Sequence, residues 1–289
     1  MVASRQPRPY SLKGSVLFQG DALAALRRLP SGAVRCCVTS PPYWGLRDYG
    51  IEGQMGLEPT PELFIGRLVS VFAELRRSLS DDGTLWINIG DGYTSGNRGW
   101  RAPDRKNRAR AMEVRPDTPE GLKPKDLLGI PWRLAFALQE DGWYLRSDVV
   151  WHKPNAMPES VKDRPTRAHE YVFMFTKSQA YHYDWDAVRE PADGGGWRAL
   201  RTVWRLPTKP FTGAHFATFP PELVLPCVLA SSERGDFVID PFFGSGTVGQ
   251  VCRKTGRKYV GIELNPEYVE LARKRLVLDG VTGARIVVV

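Results

Sequence analysis

A strand that runs straight into two prolines can occupy few places in a fold. Val34-Arg35-Cys36-Cys37-Val38-Thr39 is β-branched and apolar enough for a short buried strand. Ser40-Pro41-Pro42-Tyr43-Trp44 follows, and neither proline can donate to a sheet ladder. The strand must stop there, and Ser40, preceding a proline, is held extended. What results is a stiff turn carrying one hydroxyl, carbonyls without paired donors and two aromatic rings. Such a turn suits the end of a sheet that grips a flat, polar-edged ring. Taken alone, it reads more readily as a turn serine followed by core aromatics.

The rest of the chain tells which sheet this strand joins. Strands are expected at 15–20, 34–39, 84–89, 142–151, 171–176, 236–240, 258–263 and 285–289. Helices are expected at 22–29, 61–79, 124–140, 220–230, 248–254 and 266–278. Thr60 can cap the second helix ahead of Pro61, and its apolar face is read as Leu63, Phe64, Leu68, Val71, Phe72 and Leu75. Alternating strands and helices imply an α/β fold with a largely parallel sheet. One domain over 1–289 is expected, with a basic loop insertion at 93–122 and a small irregular insertion at 178–210.

A second stretch is as informative as the first. Phe237-Val238-Ile239-Asp240 is an apolar strand, Pro241-Phe242-Phe243-Gly244-Ser245-Gly246 a tight turn, and Thr247-Val248-Gly249 a helix start. Glycines there let a ligand approach the backbone, and the helix start offers free N–H groups. Glu263 ends the next strand, where a carboxylate can take both hydroxyls of a ribose. Gly244, Gly246 and Gly249 spell the dinucleotide fingerprint G-x-G-x-x-G, so an oxidoreductase must be weighed. Against it, only 26 residues follow Glu263, too few for the rest of an ordinary dinucleotide domain. Asp240 also puts an acid before the loop, which suits a cation better than a pyrophosphate. S-adenosylmethionine carries a sulfonium and an ammonium and no phosphate. No Gly-Lys-Ser/Thr is present, so a P-loop is excluded.

Together the two stretches resemble the amino-methylating DNA methyltransferases. Asp240-Pro241-Phe242-Phe243-Gly244-Ser245-Gly246-Thr247 is similar to their cofactor motif and Thr39-Ser40-Pro41-Pro42-Tyr43 to their catalytic motif. The catalytic motif comes first, which resembles the permuted β-group. Gln19-Gly20-Asp21, Trp151-His152-Lys153-Pro154-Asn155, His169-Glu170-Tyr171-Val172-Phe173 and His215-Phe216-Ala217-Thr218-Phe219-Pro220 resemble further motifs of the group. The resemblance spans roughly residues 15–275. It implies a Rossmann-like S-adenosylmethionine-dependent methyltransferase fold, with helices on both faces of the sheet. S-adenosyl-L-methionine is the implied cofactor, double-stranded DNA the implied partner, and a restriction–modification system the implied setting. Homodimers are common in that group.

On this reading Ser40, Pro41, Pro42 and Tyr43 are catalytic. The amine of a base is a weak nucleophile because its lone pair is delocalised into the ring. The Ser40 hydroxyl and the Pro41 carbonyl would accept its hydrogens and aim the lone pair outward. Tyr43 would stack on a base extruded from the duplex. Asp21, Thr39, His215, Phe216, Asp240, Pro241, Phe242, Gly244, Ser245, Gly246, Thr247, Glu263 and Leu264 are the implied cofactor contacts. In this family Ser-Pro-Pro-Tyr usually accompanies N4 of cytosine and Asp-Pro-Pro-Tyr N6 of adenine. N4-cytosine is therefore expected, with N6-adenine as the alternative. Carbon-5 chemistry would need a cysteine nucleophile, and Cys227, after Pro226, lies in an apparent apolar helix instead. A DNA-binding protein with an inactive cofactor pocket is the alternative outside enzymes.

Charge points the same way. Between Gly96 and Arg115 lie seven basic and two acidic residues, which supply +5 of the chain's net +8. Arg98, Arg101, Arg105, Lys106, Arg108 and Arg110, with Lys153, are the expected DNA contacts. A solvated polar segment is the alternative reading of that loop. The four cysteines suggest neither a disulfide framework nor a metal site, and no metal is expected. No apolar run reaches membrane-spanning length and the first ten residues have no apolar signal core, so a cytoplasmic, nucleoid-associated protein is expected.

Overall fold

The computed structural model describes residues 10–94, 118–208, 219–278 and 285–289. In chain order the elements are β1 (Val16–Gln19), α1 (Ala22–Leu26), β2 (Val34–Thr39), α2 (Pro61–Ser78), β3 (Leu79–Ile89) and α3 (Ile130–Glu140). They continue with β4 (Tyr144–His152), β5 (His169–Thr176), β6 (Glu190–Pro191), β7 (Trp197–Arg198), β8 (Val203–Arg205) and α4 (Pro221–Ser231). The chain then forms β9 (Phe237–Asp240), α5 (Thr247–Lys254), β10 (Lys258–Glu263), α6 (Pro266–Leu278) and β11 (Arg285–Val288).

Nine of these strands form one sheet, in the order β11-β1-β10-β9-β2-β3-β5-β4-β8. Every neighbouring pair is parallel except the two that involve β5. Period-two alternation sends successive side chains to opposite faces. Phe18, Cys37, Ile87, Phe173 and Val260 join α1, α2 and α3 on one face. Leu17, Cys36, Trp86, Met174 and Tyr259 join α4, α5 and α6 on the other. The result is a three-layer sandwich with helices on both faces. The N-terminal strands complete the sheet around the glycine-loop strand: β2 pairs with β9, and β1 lies between β10 and β11.

α2 shows how the sequence builds a layer. Thr60 accepts the Leu63 N–H at 3.3 Å, and Pro61 starts the helix. Phe64, Leu68, Val71, Phe72 and Leu75 are fully buried, whereas Leu63, read from the sequence as part of that face, is 55% exposed. Truncating Phe72 to Ala would cost about 3–5 kcal/mol.

Several boundaries differ from expectation for identifiable reasons. β3 begins at Leu79, and the expected Asp81-Asp82-Gly83 turn survives as a register break between Leu79 and Thr84 in its pairing with β2. α3 begins at Ile130, not 124. Gly129 before it is left-handed (φ 68°), and the carboxylate that caps Ile130 N–H comes from Asp91, far back in sequence. β5 begins two residues early and so carries His169 and Glu170. Within the described residues 178–208 there is regular structure: β6 and β7 make a small hairpin, and β8 extends the main sheet beside β4. Strands of two or three residues leave no periodicity to read.

Candidate active site

The parallel strands all end on one edge of the sheet, and β5 begins there. Ligands of open α/β sheets bind at that edge. A cavity of about 620 Å³ opens on it, between the end of β2 and the ends of β9 and β10. Ser40, Pro41, Pro42 and Tyr43 line one end. Asp21, Pro241, Phe242, Gly244, Ser245, Thr247, Glu263 and Leu264 line the other. The two motifs read from the sequence, 200 residues apart, thus face one space.

The glycine-loop end is held by backbone groups. Glu263 accepts the Gly244 N–H at 2.7 Å and the Asn265 N–H at 2.8 Å. Burial raises its pKa, and backbone N–H donors from Asn265, Gly244 and Leu264 oppose the rise. Thr39 and Asp240 lie beneath this wall, where the Thr39 hydroxyl donates to Asp240 Oδ1 at 2.6 Å and the Phe242 N–H donates at 3.0 Å. Burial pushes the Asp240 carboxyl up to about 7, against those two donors. Gly246, left-handed (φ 82°), precedes the first residue of α5. A Cβ on Gly261 would sit 2.6 Å from the Phe243 ring, so that glycine lets Phe243 lie flat on β10. From α6, Arg275 donates to the Ser245 and Thr247 hydroxyls, each at 3.0 Å, and ties the loop from behind.

The Ser40 end is held by side chains. Tyr43 donates to Glu170 Oε2 at 2.8 Å, and Asn88 Nδ2 donates to the same oxygen at 3.1 Å. Ser40 Oγ donates to Asn88 Oδ1 at 3.4 Å. Lys153 pairs with Glu170 Oε1 and lies over the Trp151 ring, 4.2 Å from its centre. Burial, then the Glu170 charge, holds the Tyr43 hydroxyl well above its ordinary pKa. Its ring is pressed so close to Gly90 that a Cβ there would meet it at 2.6 Å. Asn88, Trp151 and Glu170 carry no role in the sequence reading. Glu170 stands inside a motif-like stretch, but Asn88 has no signal beyond ending a strand beside β2. Lys153, expected on DNA, lines the cavity.

At the mouth, Asn155 accepts from the Thr208 N–H at 2.8 Å and donates to its carbonyl at 2.9 Å, joining the chain after β4 to the chain after β8. The described residues leading into the basic segment are pinned to their surroundings: Tyr93 bridges Leu127, and the Arg164 guanidinium stacks on Tyr93 at 3.9 Å. Arg98, Arg101, Arg105, Lys106, Arg108, Arg110, His215 and Phe216 lie outside the described residues. The expected insertion at 178–210 divides in two. His182 N–H donates to the Asp82 carbonyl and Asp184 N–H to the Ala230 carbonyl, at the far edge of the sheet, whereas Thr208 reaches the cavity. Cys227 is buried in α4 beside the Leu223 carbonyl, and burial raises its pKa. Among the described residues no three His, Cys, Asp or Glu side chains converge as a metal site would require, and no helix is long and apolar enough to cross a membrane.

Comparison with known proteins agrees with this geometry. Residues 34–274 match the family model described as DNA methylase, covering N6 and N4 methyltransferases. A relative from Xanthomonas campestris pv. cyanopsidis, the type II methyltransferase M.XycI, is 74% identical over 94% of this chain and 90% of its own length. A Thermus thermophilus protein described as a DNA modification methylase, complexed with S-adenosyl-L-methionine, superposes with a TM-score of 0.65 at 25% identity. The match covers 95% of this chain and 98% of that one. The PvuII cytosine-N4-specific DNA methyltransferase shares the fold with a TM-score of 0.71 at 20% identity, over 95% of this chain and 91% of that one. The fold is thus the Rossmann-like one of S-adenosylmethionine-dependent DNA methyltransferases. Within that class, the chain belongs to the N6/N4 DNA methylase family, the amino-methylating type II methyltransferases. The dinucleotide oxidoreductase reading falls with this membership.

Proposed function

We propose that this protein transfers a methyl group to the exocyclic N4 amine of a cytosine extruded from a specific site in duplex DNA, within a restriction–modification system. The observation that carries the base assignment is Ser40 at the head of the Pro41-Pro42-Tyr43 turn, facing the cavity. Serine in that position usually accompanies N4 chemistry in this group. The 74% identical relative bears the name of a type II methyltransferase, which supports the setting.

The residues of the glycine-loop end fit S-adenosyl-L-methionine. Glu263, half-buried on the cavity wall, and a loop without lysine suit a cationic ligand better than a pyrophosphate. Glu263 would hold the ribose hydroxyls, Phe242 and Leu264 the purine, and Asp21 the polar end. Bound there, the cofactor supplies an electrophilic methyl group on a sulfonium. Ser40 Oγ and the Pro41 carbonyl would accept the two amine hydrogens and turn the nitrogen lone pair out of conjugation. Tyr43, braced by Glu170 and Gly90, would stack on the ring. Orientation in a closed site supplies much of the rate, and the same oxygens stabilise positive charge growing on nitrogen. The amine proton then leaves to water, so no strong base is needed.

We assign the basic segment within 93–122 to phosphate contacts, in a single domain over 1–289. The part of 178–210 nearest Thr208 is the reader of neighbouring bases, the order of motifs is that of the permuted group, and a dimer is the assembly to check by light scattering. The deciding experiment is transfer from labelled cofactor to mixed-sequence duplex DNA, followed by nucleoside analysis. Label in N4-methylcytosine is the expected result. Label in N6-methyladenine would overturn the base assignment, and no label in DNA would overturn the enzyme reading.

A further inference from the structure

We infer that Lys153, Glu170 and Asn88 act as a positioning relay that fixes which way the Ser40 hydroxyl points. This rests on reading that end of the cavity as the base site.

Donor and acceptor chemistry fixes the sense of each bond. Asn88 Nδ2 lies 3.1 Å from Glu170 Oε2 and 3.2 Å from the Tyr171 carbonyl, both acceptors. The amide nitrogen must face them, so Oδ1 faces the hydroxyls of Ser40 and Tyr43. Tyr43 has one proton, and its 2.8 Å bond to Glu170 takes it, in preference to the 3.4 Å approach to Asn88. Asn88 Oδ1 is therefore left for the Ser40 proton. With that proton turned inward, the Ser40 oxygen presents lone pairs to the cavity. An amine N–H needs an acceptor there. Were the Asn88 amide reversed, Nδ2 would donate to Ser40, and the serine proton would point at the amine hydrogens instead.

Glu170 is what forbids that reversal. Its Oε2 takes both the Tyr43 hydroxyl and the Asn88 amide nitrogen, and its Oε1 is held by the Lys153 ammonium, so a reversed Asn88 would set two oxygens face to face. Both side chains are 17% exposed, so the pair is shielded from bulk solvent and salt. β4 and β5 bring the two residues together on a diagonal: Trp151 pairs with Glu170, His152 with His169, and Lys153 comes next along the chain. β3 supplies Asn88 opposite Val172. The relay thus crosses from the end of β4 through β5 and β3 to the end of β2. Lys153 belongs to it as the charge that holds Glu170, in place of the DNA-phosphate contact expected from the sequence.

The test is a double-mutant cycle in single-turnover methyl transfer to duplex DNA at saturating cofactor. Asn88→Ala should slow transfer roughly tenfold or more in the native background and change it less than about twofold in Ser40→Ala, because a residue acting through Ser40 has nothing left to act on. Additive effects would overturn the relay. Should Asn88→Ala fail to bind S-adenosylhomocysteine or to melt cooperatively, Glu170→Gln runs the same cycle. Lys153→Met is then titrated with duplex DNA without cofactor across salt concentrations. An unchanged salt slope with slower transfer is expected, whereas a slope reduced by about one with transfer intact would make Lys153 a phosphate contact and overturn its part. Wild-type protein moving no methyl to any DNA would fell the proposed function, an outcome distinct from additivity.

Discussion

The two ends of the cavity are built on different principles. At the glycine-loop end, carboxylates meet backbone N–H groups close in sequence: Glu263 with Asn265, Asp240 with Phe242. At the Ser40 end, residues 40, 43, 88, 153 and 170 meet through side chains drawn from the turn after β2, from β3 and β5, and from the end of β4. Those donors are set as the turns form, while Thr39 and Arg275 add side chains from β2 and α6, so the first end is specified mainly, and not wholly, by local backbone. The second exists only when β2, β3, β5 and β4 lie in register. One end is suited to a constant ligand, and the other can change its chemistry by exchanging side chains.

If the ends are separable, changes at each should move different constants. The largest effect is expected from Ser40→Ala, which should lower kcat by about a hundredfold or more while S-adenosylhomocysteine binds as before by calorimetry. A parallel loss of cofactor affinity would join the two ends. Next, Glu263→Gln should weaken cofactor binding roughly tenfold to a hundredfold through its charged hydrogen bonds, with kcat at saturation largely kept. A fall in kcat at saturating cofactor would break the division from the other side.

A smaller effect should appear with pH. Burial raises the Asp240 carboxyl to about 7 and moves Glu263 upward as well, so the folded protein binds protons that the unfolded chain has released. That stability is fully present below about pH 4, the ordinary carboxylate value, and is lost as pH rises towards 7. Melts between pH 5 and 8 should show stability falling on the order of a few kcal/mol. Asp240→Asn should flatten most of the slope, and an unchanged slope would place the titration elsewhere. The smallest effect belongs to Cys227→Ala, outside both ends. It should cost about 1 kcal/mol or less in stability and leave the methylation rate intact. Loss of activity there would revive a cysteine nucleophile.

The same contrast explains what could be read in the chain. Gly244 to Thr247 and Glu263 announce themselves because strand, turn and helix start are contiguous, and their chemistry is local. Ser40-Pro41-Pro42-Tyr43 is visible because prolines punctuate. Asn88 looks like any polar residue near a strand end, and only the pairing of β3 with β2 and β5 brings it to Ser40 and Glu170. Lys153 carries a charge, and charge alone suggests DNA, whereas its partner on β5 depends on register. Asp91 could not be seen as the cap of α3, because a cap is sought in the residues just before the helix.

The place of β1 has a consequence for how the molecule is made. Its two neighbours in the sheet are β10 and β11, from residues 258–263 and 285–288. While the ribosome works, β1 waits with both edges unpaired until those two segments have been synthesised. β2 likewise lacks β9 until residue 240 has emerged. Contacts so distant in sequence form slowly, and exposed strand edges invite aggregation or rescue by chaperones. The edge that carries both ends of the cavity is therefore completed late. A half-made chain has the Ser40 turn without the glycine loop, and cannot pair a base with a methyl donor.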